Sequence, residues 1–153
     1  MASILSAVGR VAVSDLSVRL VGEPGVGKEW LARVIHALSA RADRPFVHVD
    51  CATLPRWNAE RALFGSESEA HGERIVRPGL LERSSGGTIY FDAIHRLPYH
   101  VRQRLLAAFE RAHFRRVGGE EDVHVNVRAI EGVTLEADEP GGRAPLTASA
   151  SLR

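Results

Sequence analysis

The 153 residues carry a formal net charge of +1, with 44% hydrophobic and 25% charged residues. That is the size and balance of one ordinary globular domain with a real core, and the near-neutral charge gives no electrostatic argument for nucleic acid or a membrane surface. No apolar run approaches a bilayer span, the N-terminus lacks the basic start of a signal peptide, and the single Cys51 cannot form an internal disulfide, which fits a reducing cytoplasm.

Ile4, Leu5, Val8 and Ala12 share one helical face, so residues 3–12 read as a short amphipathic helix interrupted by Gly9, stopped at Ser14-Asp15. Residues 16–21 form an apolar run of strand type. It leads into Gly22-Glu23-Pro24-Gly25-Val26-Gly27-Lys28-Glu29, after which Leu31, Val34, Ile35 and Leu38 mark a helix over 28–38. A connecting loop over 40–45 precedes a second strand, Phe46-Val47-His48-Val49, ending at Asp50-Cys51. A helix is expected from Leu54-Pro55 to Leu63-Phe64, with proline tolerated in its first turn.

Residues 65–78 are polar and read as an exposed irregular loop. Leu80-Leu81 begin a short helical piece that stops at Ser84-Ser85-Gly86-Gly87. Thr88-Ile89-Tyr90-Phe91 is a third strand, ending in Asp92. After Pro98, Val101, Leu105, Ala108, Phe109 and Ala112 form the apolar stripe of the clearest helix. Val123, Val125 and Val127 alternate with polar residues, which predicts another strand. Residues 138–153 read as a disordered tail, leaving 1–137 as the folded domain.

The glycine-rich stretch has the spacing G-x-x-x-x-G-K between a strand and a helix, the context in which this pattern means phosphate binding. Glycines let the backbone curl until several N–H groups face one anion. The helix start adds unpaired N–H groups and partial positive charge, and the lysine supplies a point charge for the outer phosphates. Of the 20 basic residues Lys28 is the one lysine. Strands alternating with helices predict an α/β fold with a mostly parallel sheet. Ligands of such sheets bind at the carboxyl ends of the strands, which would gather the loop after Val21, Asp50 and Asp92.

The seven histidines show no spacing for a metal site. Arg102, Arg104, Arg111, Arg115 and Arg116 form a basic run, of which Arg111, Arg115 and Arg116 could reach phosphate; the alternative is a solvated face with Glu110 nearby. Cys51 reads as a small packed group, and Ser84-Ser85 have no identifiable base.

The blocks VGRVAVSDLSVRLVGEPGVGKE, PFVHVDCATL, ALFG at 62–65, PGLLERSSGGTIYFD at 78–92 and FRRVGGEEDVHVNVRAI at 114–130 resemble the AAA+ central domain of bacterial enhancer-binding proteins. These are the ATPases that activate sigma-54 RNA polymerase. The likeness runs from about Leu5 to Thr134 and implies a P-loop NTPase three-layer sandwich, here expected to lack the helical lid. It matches Gly22, Glu23, Pro24, Gly25, Val26, Gly27, Lys28 and Glu29 to the Walker A loop that holds ATP or ADP. Glu29 after the lysine is itself a family feature. Asp92 matches the Walker B aspartate, which would hold Mg²⁺ through water, and Asp50 stands where the family usually has an asparagine.

The same comparison exposes departures. Ala93 stands where the Walker B glutamate is expected, Glu69-Ala70-His71-Gly72-Glu73-Arg74 replaces the sigma-54-touching GAFTGA, and Thr134 replaces a sensor asparagine. The fifth strand, the trans-acting arginines and a DNA-binding domain are expected to be missing. The resemblance implies an ATP-binding regulatory module with impaired hydrolysis and no direct sigma-54 contact. The alternatives are an ATPase completed by a full-length AAA+ partner in a mixed ring, or a remnant that binds no nucleotide. Self-association remains a further expectation.

Overall fold

The computed structural model describes residues 2–134 and 149–152. Helix α1 (Ala2–Ala12) leads into strand β1 (Ser17–Val21), the glycine loop and α2 (Lys28–Ala37). Then come β2 (Phe46–Asp50), α3 (Ala59–Phe64), β3 (Ser66–Ala70), β4 (Glu73–Arg77), α4 (Leu80–Arg83) and β5 (Thr88–Asp92). A 3-10 turn (Ile94–Arg96) joins β5 to α5 (Tyr99–Arg111), and β6 (His113–Arg115), β7 (Asp122–His124), β8 (Arg128–Val133) and β9 (Ser149–Leu152) complete the order.

Five strands form one sheet in the order β2-β5-β8-β1-β9, with every pairing parallel. Parallel strands are covered on both faces and therefore read as apolar runs. On one face Val21, Val49, Ile89, Phe91, Ala129 and Val133 meet Leu63, Phe64, Leu81, Val101, Leu105 and Phe114 from the α3–α5 side. On the other, Val18, Leu20, Tyr90 and Ile130 meet Val8 and Ala12 of α1 and Ala32 and Ile35 of α2. Neighbouring strand residues such as Ile89 and Tyr90 fall into different clusters, as a period of two requires. Each of the large side chains so buried contributes about 1.5–3 kcal/mol.

Buried arginine fixes α1 to the sheet. Arg128, 2% exposed, donates from Nε to the Leu16 carbonyl at 3.0 Å and from its terminal nitrogens to Val11 and Ala12 at 2.6 and 3.2 Å. A cation at the carbonyl-rich end of a helix is well placed. Burial nonetheless lowers its proton affinity.

The structure differs from the sequence reading in five places. Gly9 does not interrupt α1. The helix expected from residue 54 begins at Ala59, because a turn closed by Asn58 N–H on the Pro55 carbonyl comes first. Residues 66–77 are a β-hairpin rather than an irregular loop. Its tip is His71 (φ 53°) and Gly72 (φ 77°), a two-residue turn with both φ positive that matches the twist of paired strands. The valine alternation belongs to β7 only at Val123, whereas Val125 and Val127 pack on the core ahead of the central strand β8.

The fifth difference concerns the expected tail. Residues 149–152 form β9 alongside β1, so a fifth strand is present. The reason is backbone satisfaction: β1 would otherwise leave one ladder unpaired, and a segment of small residues suffices to fill it. Residues 138–148 lie outside the described residues.

Candidate functional site

A cleft of about 620 Å³ opens at the carboxyl ends of β1, β2, β5 and β8. One wall is the glycine loop. A Cβ on Gly22 would meet Val26 Cγ1 at 2.8 Å, and Gly25 and Gly27 sit at φ +77° and +97°. Side chains at these positions would prevent the curl. Gly27 then caps α2, its carbonyl accepting from Leu31 N–H at 3.0 Å. Lys28 Nζ folds back over the loop, donating to the carbonyls of Gly22 and Glu23 at 2.8 and 2.9 Å. Glu29 on the first helical turn accepts from Arg33 at 2.9 Å and lies 3.4 Å from His48 Nδ1.

The opposite wall is made of strand ends. Asp50 and Asp92 are register partners, and Gly132 is the partner of Asp92 on its other side. Asp50 accepts from the Ala52 N–H at 3.1 Å, so one of its oxygens is used in its own turn. Tyr90 directs its hydroxyl at Asp92 Oδ1, 3.5 Å away. Burial, then the Asp92 charge, pushes its phenol well above the ordinary range. His48 stacks on Tyr90 with ring centres 5.4 Å apart and places Nε2 3.9 Å from Asp92. Ala93 carries no polar side chain and takes a left-handed conformation, φ 53° and ψ 48°, to start the 3-10 turn.

The fold thus brings Gly25, Gly27, Lys28, Glu29, Asp50, Asp92, Ala93 and Thr134 to one cleft, with Pro24 on its rim. Gly22, Glu23 and Val26 belong to the loop without lining the cleft, and the Val26 N–H donates to the Glu23 carbonyl at 3.3 Å. Sequence reasoning missed Trp30, Arg33, His48 and Tyr90. The last two were within reach: they precede Asp50 and Asp92 by two residues and share their strand faces.

Among the described residues no group of three His, Cys, Asp or Glu can hold a metal ion on its own. Magnesium needs only one or two carboxylates and keeps its waters, and the adjacent Asp50 and Asp92 fit that demand.

The other candidates are settled by their contacts. Arg104 pairs with Glu60 at 2.6 Å, Arg115 with Asp122 at 3.2 Å, and Arg116 with both Glu82 and Glu67 at 2.8 Å. Those three arginines are an ion-paired face. Arg74 adds bonds from β4 to Glu67 and Glu121, so the hairpin is strapped to the body by charge. Cys51 is buried, and burial pushes its thiol far up, as a packed group requires. The Ser84 hydroxyl donates to the Leu80 and Leu81 carbonyls at 2.8 and 3.0 Å and is no nucleophile.

A five-stranded parallel sheet in this order, with a glycine loop running from β1 into α2, defines a P-loop NTPase of the AAA+ kind. The profile of the sigma-54 interaction domain matches residues 1–140, and the chain belongs to that family. It is 40% identical over 131 residues to the regulatory protein AtoC of Escherichia coli K12, covering 85% of this chain and 28% of AtoC. The Nif-specific regulatory protein of Azospirillum brasilense is 36% identical over 154 residues, covering all of this chain and 25% of its own length. The crystal structure of NtrX from Brucella abortus in complex with ADP superposes with a TM-score of 0.79 at 34% identity, covering 87% of this chain and 29% of NtrX. The ATP complex of NtrX gives 0.79 at 35% identity, covering 88% and 28%. This chain therefore spans little more than a quarter of these relatives. Among the described residues no helix is long and apolar enough to cross a membrane.

Proposed function

We propose that this chain is an adenine-nucleotide-binding regulatory module of the sigma-54 activator family, with hydrolysis impaired. The observation that carries the reading is Lys28 Nζ, held at 2.8 and 2.9 Å by two carbonyls of its own glycine loop. An ammonium so placed can exchange those carbonyls for phosphate oxygens without moving the backbone. Gly22, Gly25 and Gly27 let the loop N–H groups ring the phosphates, and the start of α2 adds its partial charge. NtrX in its ADP and ATP complexes supports adenine nucleotide as the ligand.

Magnesium, when bound, neutralises charge between phosphate oxygens. Asp92 would hold it through its water shell, with Asp50 alongside. Hydrolysis also needs an acceptor that orients the attacking water, and Ala93 has none. Binding therefore outlasts chemistry in this site. The hairpin supports a further departure: the His71-Gly72 tip, closed by the Ala70–Glu73 and Glu69–Arg74 pairs, offers no compact apolar surface, and desolvating its charges would be costly. Direct grip on sigma-54 by this hairpin is not expected. Likeness to transcription regulators and the buried free thiol support a cytoplasmic setting.

Calorimetry of the chain with ADP and with ATP·Mg²⁺, alongside a phosphate-release assay, tests the reading. Saturable heat with both nucleotides and phosphate release at background is the expected result. Absence of heat at millimolar nucleotide would sink it, and turnover at ordinary enzyme rates of about 1–10 s⁻¹ would remove the claim of impairment.

A further inference from the structure

A second groove, about 560 Å³, lies between α3, the end of β4 and α4, and shares no lining residue with the nucleotide cleft. Trp57 stands at its edge with 85% of its surface exposed. Around it are Arg61 on α3, Arg77 at the end of β4 and Arg83 at the end of α4, all exposed. No carboxylate lines the groove. Six other arginines, Arg33, Arg41, Arg74, Arg104, Arg115 and Arg116, each hold a carboxylate. Among the described residues Arg61, Arg77 and Arg83 hold none. A chain of net charge +1 therefore concentrates three uncompensated cations around one concavity.

Guanidinium forks match phosphate oxygens, and a flat exposed indole offers a stacking face. We propose that this groove binds single-stranded nucleic acid, with a base stacked on Trp57 and neighbouring phosphates on Arg61, Arg77 and Arg83. A single strand supplies both features at once. An acidic peptide supplies anions but no ring for the indole, and a duplex keeps its base faces inside the stack. The overall charge says little about this groove, because Arg33, Arg41, Arg74, Arg104, Arg115 and Arg116 elsewhere are each paired with a carboxylate.

Anisotropy titration of a labelled oligothymidylate with the whole chain, over a range of salt, is the test. Three neutralised phosphates predict a slope of log K against log salt of about −2, and Arg77→Ala or Arg83→Ala should each reduce it by about 0.7. Trp57→Ala should weaken binding by about 5- to 150-fold, the range for loss of one stacked base. The same variant should keep its melting temperature and its ADP binding, since Trp57 is exposed and outside the cleft. Saturating ADP should not displace the oligonucleotide. Displacement by ADP would overturn the proposal, because the phosphate loop would then be the binder. Unchanged affinity in Trp57→Ala would overturn it too, as would a polyglutamate peptide or a duplex binding as tightly as the single strand.

Discussion

The two walls of the cleft at the strand ends are built from different material, and they depart from the family pattern to different degrees. The loop wall works through backbone: Gly22, Gly25 and Gly27 set a curl, and Lys28 is the one side chain it needs. The strand-end wall works through side chains, and there Ala93 and Thr134 replace the polar groups the family resemblance leads one to expect. Backbone capture is sensitive to single side chains, because a Cβ at Gly22 would crowd Val26 and one at Gly25 or Gly27 would be strained at positive φ. Side-chain chemistry can be removed one residue at a time while the sheet stays intact. The proposed state, nucleotide binding with hydrolysis impaired, is one that such stepwise change can reach.

Removing the ammonium should break the comparison most severely. Lys28→Ala leaves the glycine curl intact, so the chain should fold and lose nucleotide affinity. In wild type, ligand at a hundredfold excess over Kd stabilises the native state by about 2.7 kcal/mol. A thermal-shift series with ADP should rise for wild type and stay flat for Lys28→Ala. An equal rise in both would move the binding site away from the loop.

The strand-end wall has its own steric limit. A Cβ at Gly132 would fall 2.5 Å from the Tyr90 hydroxyl, which itself faces Asp92. Gly132→Ala should cost about 1–3 kcal/mol by overpacking, read from urea unfolding. Gly132→Ala combined with Tyr90→Phe, which removes the clashing oxygen, should recover most of that loss. Failure of the double variant to recover would show that the strain lies in the β8 backbone instead.

What could be read from the sequence divides along the same line. The glycine loop, Asp50, Asp92 and the apolar runs of β1, β2 and β5 were legible because local pattern and fold agree there. The hairpin was not, because Ser66–Ala70 is polar on both faces and its only signal is the His71-Gly72 turn. Strand β9 was invisible for a related reason: Ser149, Ala150 and Ser151 are small and carry no strand pattern, and it exists through the unpaired edge of β1, a tertiary cause. The arginine run on and after α5 stayed ambiguous until Glu60, Glu67, Glu82 and Asp122 were placed beside it by the fold.

A gentler test separates the cleft from the body of the sheet. His36 is buried, with Nε2 donating to the Arg44 carbonyl at 3.1 Å and Nδ1 accepting from the Thr88 hydroxyl at 2.9 Å. Burial, against the Arg44 bond and aided by the Arg128 charge, lowers its pKa below the ordinary 6.5. The unfolded chain then binds the proton more readily than the folded one. Stability should be fully present above pH 6.5 and decline as pH falls below it. Urea midpoints between pH 8 and pH 5 should drop in wild type, and His36→Gln should flatten part of that drop. An identical pH profile in the variant would mean that other groups carry the effect.

The smallest expected change is at Ala93, on the strand-end wall. Its φ of 53° lies in the left-handed region, and β5 ends immediately before it. A left-handed conformation costs a non-glycine residue about 1–2 kcal/mol. Glycine removes that cost but widens the unfolded ensemble, which returns about 0.4–1 kcal/mol. Ala93→Gly should therefore stabilise the fold by only about 0.8 kcal/mol, the difference of those two effects. Its consequence for the cleft is sharper than its size. Ala93 offers phosphate and magnesium no side-chain atom, so ADP affinity in calorimetry should not change. A substantial loss of affinity would mean that the strained turn, and with it the aim of Asp92, is set by the alanine methyl group. Ala93 would then be a positioning residue for nucleotide.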